Sequence, residues 1–195
     1  MTLLSLQQLN DFLNNYPHED IADIGGWQEM TVDVLEFKPG KEPRRVKARL
    51  SQSIDRVIYD LDYDVTKAKL PRQHQTIICM DTFEHLYDPV RAAENIVKSL
   101  KSGGYLFLTT VFMYKYHRFP VDTYRYTDDS LKWLFRGLEI DKVWFEEEIT
   151  ADDPTVMGEG VFNNQPAKIG REWRVSIIAH KKSKVNAKAY NKSKK

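Results

Sequence analysis

The sequence contains one cysteine and no long apolar segment. Cys79 is the only cysteine among 195 residues, so no disulfide can form within the chain, which is typical of a reducing cytosol. No apolar run approaches the ~20 residues that a membrane-spanning helix requires. The first eight residues have neither a basic start nor a small-residue cleavage site, so we expect no signal peptide. These absences predict a cytoplasmic protein without a membrane span.

Several kinds of catalytic site also lack their signatures. The five histidines show no metal-ligand spacing, and a single cysteine cannot build a zinc site. Gly103-Gly104 lacks the lysine and the spacing of a phosphate-binding loop. No serine lies in the sequence context of a nucleophile elbow. We therefore expect no metal centre, no phosphate loop and no serine nucleophile.

The composition predicts one folded domain and a basic tail. Hydrophobic residues make up 42% and charged residues 29% of the chain, close to globular averages. The net charge of +1 hides an asymmetry, because residues 181–195 hold seven lysines and no acid, which leaves −6 on residues 1–180. We expect a domain over residues 1–180 and a disordered tail over residues 181–195. The tail is either a solubilising end or a weak electrostatic tether to RNA, DNA or an acidic surface.

Hydrophobic periodicity predicts an α/β domain. Helices are predicted over residues 3–16, after Asp88-Pro89 and after Thr127. Strands are predicted at residues 21–24, 31–37, 57–63, 76–80, 105–111, 140–149 and 173–179. Residues 39–45 and 152–170 are predicted loops.

The middle of the chain predicts a βαβ unit. Residues 76–80 are continuously apolar, as expected for a strand that is covered on both faces. Asp88 is the expected cap of the following helix, a stripe that begins at Val90 is expected to be buried, and Gly103-Gly104 is expected to end the helix. Because residues 105–111 form the next predicted strand, the two strands should run parallel.

Polar and aromatic residues follow the predicted strands. They are Gly25-Gly26-Trp27 after the first strand, Asp60, Asp62 and Asp64 around the end of the third, Asp81 to His85 after the fourth, and residues 114–127 after the fifth. In open α/β sheets, ligands bind at the carboxyl ends of the strands. The sequence therefore predicts a ligand site at this edge of the sheet.

Three runs in the middle of the chain form a familiar pattern. They are Asp81-Thr82-Phe83-Glu84-His85-Leu86-Tyr87-Asp88-Pro89, Leu100-Lys101-Ser102-Gly103-Gly104 and residues 117–127. The segment over residues 70–138 resembles the class I S-adenosylmethionine-dependent methyltransferases, and more narrowly those with a type 11 methyltransferase domain. The resemblance implies a Rossmann-like open, mostly parallel sheet with helices on both faces and an antiparallel last strand. It also implies S-adenosylmethionine as the cofactor.

The resemblance further implies a set of cofactor-binding residues. They are Asp23, Gly25, Gly26, Glu36, Asp60, Asp62, Asp81 and Glu84. Trp27 stands where a further glycine is expected, and its indole hinders close approach of the backbone to a ligand. The family also has a helix after the first strand, for which residues 28–30 leave no room if residues 31–37 form the second strand. The alternative for each acid is a place on a solvated loop.

Two histidines are candidate bases, and four residues are candidates for binding the acceptor. A base with a near-neutral pKa suits an oxygen acceptor, which makes His117 the first candidate and His85 the second. The candidates for a polar acceptor such as a sugar hydroxyl are Tyr116, Asp122, Tyr124 and Arg125. The alternatives are structural: Asp122 pairs with Arg125, and His85 packs under the helix.

These expectations together predict methyl transfer to an oxygen of a small or glycan-like acceptor. An alternative is a catalytically inactive methyltransferase-like module for binding or assembly, which Trp27 and the missing helix favour. A third hypothesis is an RNA-associated methyltransferase that contacts nucleic acid through the lysine tail.

Overall fold

The computed structural model describes residues 3–17, 19–26, 31–36, 44–49, 56–59, 63–114, 116, 121–147, 159–162, 165–168 and 172–183. Three helices are present in these ranges: α1 (Leu3–Asn15), α2 (Pro89–Ser99) and α3 (Asp128–Leu134). The first five strands are β1 (Ile21–Ile24), β2 (Thr31–Glu36), β3 (Arg44–Arg49), β4 (Arg56–Tyr59) and β5 (His74–Met80). The others are β6 (Leu100–Val111), β7 (Glu139–Glu147), β8 (Glu159–Phe162), β9 (Gln165–Lys168) and β10 (Glu172–His180).

Six of the strands form one mixed sheet in the order β4-β1-β5-β6-β10-β7. Strands β4, β1, β5 and β6 run parallel, whereas β10 runs antiparallel to both β6 and β7. The prediction of an open, mostly parallel sheet with an antiparallel last strand is confirmed. The predicted βαβ unit is β5-α2-β6, and its two strands pair in parallel.

Helices cover both faces of this sheet, as predicted. One face holds the larger core, in which Ile77 and Leu106 pack with residues of α2 and α3. On the other face, Ile78 and Phe107 pack against α1, and the rings of Phe107 and Phe12 lie 5.1 Å apart. Neighbouring residues of one strand enter opposite cores because successive side chains of a strand point to opposite faces.

Helix α2 begins as predicted. The predicted buried stripe is confirmed at Ala93 and Leu100 but not at Val90, and the end of the helix differs from the prediction. The carboxylate of Asp88 accepts a hydrogen bond from the backbone N–H of Arg91 at 2.9 Å, which caps the helix. The buried side is formed by residues such as Ala92 and Ile96, whereas Val90 is 36% exposed. Gly103-Gly104 does not end the helix, because α2 ends at Ser99 and the chain enters β6 directly.

The second predicted strand lies in another place than expected. Strand β2 pairs antiparallel with β3 in a sheet of their own, and β4 is the strand that lies beside β1. Much of the predicted loop over residues 39–45 therefore precedes a strand, β3, that the sequence did not reveal. Between β1 and β4, the residues that can be described form this hairpin and contain no helix.

A second unpredicted hairpin lies within the predicted loop over residues 152–170. It consists of β8 and β9, which pair antiparallel from Glu159↔Lys168 to Phe162↔Gln165. Strands β8 and β9 have four residues each, too few to show the alternation by which β2 was predicted.

The start of the predicted tail is held against the sheet. The backbone N–H of Lys181 donates to the carbonyl of Gly104 at 2.8 Å, and its Nζ donates to the carbonyls of Val97 and Leu100. Packed structure therefore continues beyond residue 180, and residues 184–195 of the predicted tail lie outside the described residues. None of the described helices is both long and apolar enough to cross a membrane.

Candidate functional site

A cavity of about 390 Å³ opens at the carboxyl ends of β1, β4 and β5. The chain leaves β1 toward β4 on one side and later enters β5 on the other side, so the sheet has its switch point between β1 and β5. Ligands of open α/β sheets bind at this point. The cavity is lined by Ile24, Gly25, Tyr59, Tyr63, Asp64, Val65, Thr66, Lys67, Asp81, Thr82, His85, Leu86 and Tyr87.

The turn after β1 brings Gly25 to the cavity. Gly25 adopts a left-handed backbone conformation with φ of 69°, which glycine tolerates without steric cost. Its N–H donates to the carbonyl of Tyr59 at 2.9 Å, which joins the ends of β1 and β4. From the turn after β5, the hydroxyl of Thr82 lies 3.0 Å from the carbonyl of Met80 and 3.3 Å from that of Ile24. The three strand ends are thereby tied together under the cavity.

Asp23 and Gly26, which the resemblance also assigns to the cofactor, are not among the residues that line the cavity, and the side chain of Asp23 is buried. Asp23 Oδ2 lies 2.9 Å from Arg56 Nε in a pair whose side chains are 8% and 5% exposed. Burial raises the pKa of Asp23 to about 6, because its effect is larger than that of the Arg56 guanidinium, which lowers the pKa. The carboxylate also packs against Gly26, where an added Cβ would lie 2.1 Å from Asp23 Cγ. Neither residue lines the cavity, and their binding roles remain predictions.

Asp81 presents a carboxylate to the cavity. It directly follows β5 in a left-handed conformation with φ of 51°, and its N–H donates to the carbonyl of Thr109 at 3.0 Å. Asp81 Oδ2 accepts a hydrogen bond from Arg174 Nη2 at 2.6 Å. Burial raises the pKa of Asp81, but nearby cations, Arg174 foremost, outweigh burial and hold the pKa below its ordinary value. Asp81 is therefore an anion at neutral pH.

Glu84 lies behind the cavity wall. Its side chain is 1% exposed, and Oε2 accepts a hydrogen bond from the hydroxyl of Thr110 at 2.7 Å. Burial, and then the negative charge of Asp81, raise the pKa of Glu84. The structure thus places Glu84 beneath the site, and its predicted contact with the cofactor remains a prediction.

His85 lines the cavity and has a fixed tautomer. Its Nδ1 contacts the backbone carbonyl of Val121, and because a carbonyl can only accept, Nδ1 carries the proton. In the neutral ring, the lone pair then lies on Nε2, which is 3.9 Å from Glu84 Oε1. A neutral imidazole with this tautomer is suited to accept a proton.

The segment over residues 121–126 is bonded to itself and to the cavity wall. Both terminal nitrogens of Arg125 donate hydrogen bonds to the Asp122 carboxylate, and Nη2 lies 2.8 Å from Oδ2. Arg125 also donates to the carbonyl of Tyr114. The hydroxyl of Tyr124 donates to the carbonyl of Tyr87 at 3.4 Å, which brings Tyr124 beside the cavity. The structural alternative for Asp122 and Arg125 is therefore present as a forked ion pair.

The remaining predicted residues are not brought to the cavity by described contacts. Tyr116 is 69% exposed. Glu36 ends β2, which is not a neighbour of β1, so the strand order that motivated its ribose-binding role is absent. Asp60, Asp62 and His117 lie outside the described residues, although β4 ends immediately before Asp60. The roles of these residues remain predictions.

Several residues of the site were not singled out from the sequence. Tyr59 and Tyr63 lie at the end of a predicted strand, and Tyr87 follows His85 by two residues, so their positions at strand ends were an available signal. Arg174 gave no such signal, because its contact with Asp81 joins segments 93 residues apart in the chain.

No family model and no curated protein matches this chain. Among solved structures, it is similar to TehB of Haemophilus influenzae (15% identity, TM-score 0.43, 66% of this chain and 42% of that one). It is also similar to a methyltransferase of Haloferax volcanii in complex with the activator Trm112 (16% identity, TM-score 0.46, 68% of this chain and 64% of that one). A third similar structure is a SAM-dependent methyltransferase of Methanosarcina mazei (15% identity, TM-score 0.49, 94% of this chain and 100% of that one). The last two are methyltransferases by name.

The matched part of this chain spans less than two thirds of the length of the first two of these proteins. The identities are too low to transfer a substrate or a partner from any of the three. The chemistry is therefore inferred from this chain's own residues.

Proposed function

We propose that this protein is an S-adenosylmethionine-dependent methyltransferase whose acceptor is an oxygen of a small or glycan-like molecule. The observation that carries the proposal is the meeting of Gly25, Asp81 and His85 at one cavity, at the switch point of the sheet. These three residues come from the turns after β1 and β5, and each supplies a different property. Gly25 lets the backbone approach a ligand closely, Asp81 carries a negative charge, and His85 can accept a proton.

The residues of the cavity fit the cofactor. S-adenosylmethionine supplies a methyl group carried on a cationic sulfur, and it bears an ammonium group as well. Asp81 would hold the cationic methionine end, while Tyr59 and Tyr63 offer aromatic rings, which attract cations and stack on flat rings. The volume of the cavity lies in the range of small-molecule sites.

His85 is the described residue best placed to act as the base. Its Nδ1–H is fixed on the Val121 carbonyl, so Nε2 would accept the proton that an acceptor hydroxyl loses. The enzyme would otherwise mainly align the methyl donor with the acceptor. The hydrogen-bonded turns after β1 and β5 favour this alignment because they hold the cavity wall in one geometry. His117 remains the other candidate base.

The acceptor would bind beside Tyr124 and Tyr87, next to His85. Both rings are exposed, by 42% and 75%, and Tyr87 lines the cavity. An exposed aromatic ring can stack on the apolar face of a sugar or another ring. Tyr116, Asp122 and Arg125 remain candidates for acceptor binding, but Asp122 and Arg125 would first have to release each other.

The proposed enzyme acts in the cytoplasm, where its lone cysteine would remain reduced. Cys79 is fully buried, and burial strongly raises the pKa of its thiol, so it is inert toward disulfide exchange. Contact with nucleic acid is proposed only through the lysines of residues 181–195.

The second candidate function is a methyltransferase-like binding or assembly module without catalysis. The β2–β3 hairpin favours it, because it occupies the place in the chain where the family has its first crossover helix. The buried ion pair of Asp23 with Arg56 favours it as well, because it directs the Asp23 carboxylate away from the cavity. The protein would in that case recognise a partner rather than transfer a methyl group.

Calorimetric titration with S-adenosylmethionine and S-adenosylhomocysteine tests both candidates. We expect micromolar binding that Asp81→Asn weakens at least tenfold. Asp129→Asn is the matched control, because it removes the same charge from a side chain of α3 that is 90% exposed. Absence of binding by the folded wild type at millimolar ligand would refute the enzyme and favour the module.

A second experiment tests the base. Methylation of a panel of methyl glycosides and phenols would be followed by the S-adenosylhomocysteine released. His85→Gln should abolish turnover while cofactor binding is retained. Turnover that survives in His85→Gln but is lost in His117→Gln would assign the base to His117.

A further inference from the structure

Arg174 contacts the cavity residue Asp81 from a distant strand. Arg174 lies on β10, and the order β5-β6-β10 places β6 between it and the strand that precedes Asp81. Arg174 is 3% exposed, and its Nη2 lies 2.6 Å from Asp81 Oδ2. The guanidinium therefore reaches across one strand to a carboxylate at the edge of the sheet.

The backbone at Asp81 is held in a conformation that residues other than glycine rarely adopt. Its φ is 51°, and its N–H is bonded to the carbonyl of Thr109. Such conformations persist only where the surroundings determine them, and they cluster at ligand sites. The backbone N–H of Asp81 is thus bonded to Thr109, and its side chain accepts a hydrogen bond from Arg174.

The surroundings of this pair are rich in buried acids. Glu84 and Glu146 are each 1% exposed, and Glu84 interacts electrostatically with Asp81. Glu146 is the register partner of Arg174 on β7 and accepts a hydrogen bond from Ser176 at 3.0 Å. Without a nearby cation, a carboxyl in such a place takes up a proton, and a neutral carboxyl would no longer attract a cationic ligand.

We propose that Arg174 is the positioning residue of the cofactor site: it holds the Asp81 carboxylate ionised and in one orientation at the cavity. Arg174 itself does not line the cavity, so it acts through Asp81. The link to the cofactor rests on the proposed function, whereas the effect of Arg174 on Asp81 does not.

Two variants of Arg174 test the inference. Arg174→Met removes the charge and keeps a long side chain, and Arg174→Lys keeps the charge but loses the planar fork. Arg136→Met is the control, because Arg136 is an exposed arginine next to α3. Urea unfolding and circular dichroism identify the variants that fold, and Arg174→Lys serves alone if Arg174→Met does not fold.

The first readout is the titration of Asp81, followed through its carboxyl carbon by ¹³C NMR in the absence of cofactor. Arg174→Met should raise the pKa of Asp81 by about 1 to 3, the effect expected when an adjacent arginine is lost. Arg174→Lys should raise it less, and Arg136→Met should leave it unchanged. An unchanged titration of Asp81 in the folded Arg174 variants would overturn the inference.

The second readout is the affinity for S-adenosylhomocysteine at pH 7. Arg174→Met should weaken binding about tenfold or more, as expected for loss of a charge-assisted contact. Arg174→Met combined with Asp81→Asn should bind no more weakly than Asp81→Asn alone, because Arg174 acts through Asp81. Additive losses would contradict this. If the wild type binds no cofactor while the titration shifts as expected, the proposed function fails and the positioning of Asp81 stands.

Discussion

Gly25 and Thr82 lie in direct contact where the turns after β1 and β5 meet. A Cβ added to Gly25 would lie 2.3 Å from Thr82 Oγ1 and 3.3 Å from Thr82 Cβ, so the whole side chain of Thr82 blocks it. The position also has positive φ, which favours glycine independently of the available space.

Gly25→Ala should therefore destabilise the protein and weaken cofactor binding. Overpacking contributes about 1–3 kcal/mol of unfolding free energy and the left-handed backbone about 1–2 kcal/mol more. The double variant Gly25→Ala/Thr82→Ala should recover only the part of the unfolding free energy that overpacking removes. Gly137→Ala is the control, because its added Cβ would lie an ordinary 3.4 Å from Val97. Urea unfolding measures all four proteins, and equal losses in Gly25→Ala and Gly137→Ala would refute the argument.

The buried pair of Asp23 and Arg56 should give stability a distinct pH dependence. Burial raises the pKa of Asp23 from 3.8 to about 6, so the native state binds a proton between these values that the unfolded chain does not. The contribution of Asp23 to stability is therefore present below about pH 4 and is lost as the pH rises through 6.

Asp23→Asn removes this titration. The stability of the wild type relative to the variant should fall between pH 4.5 and 6.5, by at most about 1.4 kcal/mol per pH unit for one proton. Urea unfolding at the two pH values measures the difference. A difference that instead grows with pH would mean that Arg56 outweighs burial.

His180 joins two acids at the start of β7 in a pH-dependent contact. Its Nδ1 lies 3.0 Å from Asp141 and its Nε2 lies 2.9 Å from Glu139. The bond with Asp141, assisted by Glu139, raises the pKa of His180. The stabilisation is therefore full below the ordinary histidine pKa and is lost as the pH rises through the raised value.

His180→Gln should thus lower the melting temperature at pH 5.5 and have little effect at pH 8.5. The loss of unfolding free energy at pH 5.5 should be at most about 1 kcal/mol, because the side chains are partly exposed and solvent screens the charges. Thermal unfolding at both pH values checks it. Equal losses at the two pH values would indicate packing of the ring on Tyr105 rather than charge.

The forked pair of Asp122 and Arg125 should behave as one structural unit. The side chain of Asp122 is 1% exposed, so removing either partner leaves a polar group without its match. Asp122→Asn and Arg125→Gln should each lower the free energy of unfolding by about 1–3 kcal/mol. The double variant should lower it by no more than the larger of the two single losses. A double-mutant cycle by urea unfolding measures this coupling. Additive losses would mean that the two side chains act independently, which would leave Arg125 available for an acceptor.

The parts of the fold that were predicted correctly depend on local chemistry. Asp88 caps α2 through bonds to residues nearby in the chain, and the apolar run before Asp81 can only be a covered strand. Whether β2 lies beside β1 or beside β3 depends instead on strand pairing over long distances in the chain, which alternation does not specify. Glu36 therefore ends a strand outside the six-stranded sheet, and its expected role remains a prediction.

The candidate site shows the same division. Gly25 and Asp81 were found because each directly follows a strand whose end could be recognised, and His85 was found because it lies five residues after the end of β5. Asp122 and Arg125 were correctly seen as a potential pair, but sequence spacing could not decide between pairing and acceptor binding. Arg174 was missed because only the strand order brings this arginine of β10 to Asp81.

The attachment of Lys181 has a practical consequence for experiments. Its contacts with Gly104 and Leu100 lie at the start of β6, whereas the cavity lies near the other end of the strands. Val111 lies six positions after Tyr105 in β6, which is about 20 Å at the rise of a strand. An anchor attached at Ser183 would lie at the end of the sheet opposite the cavity, so immobilisation at that residue would leave the cavity open to the flowing solution.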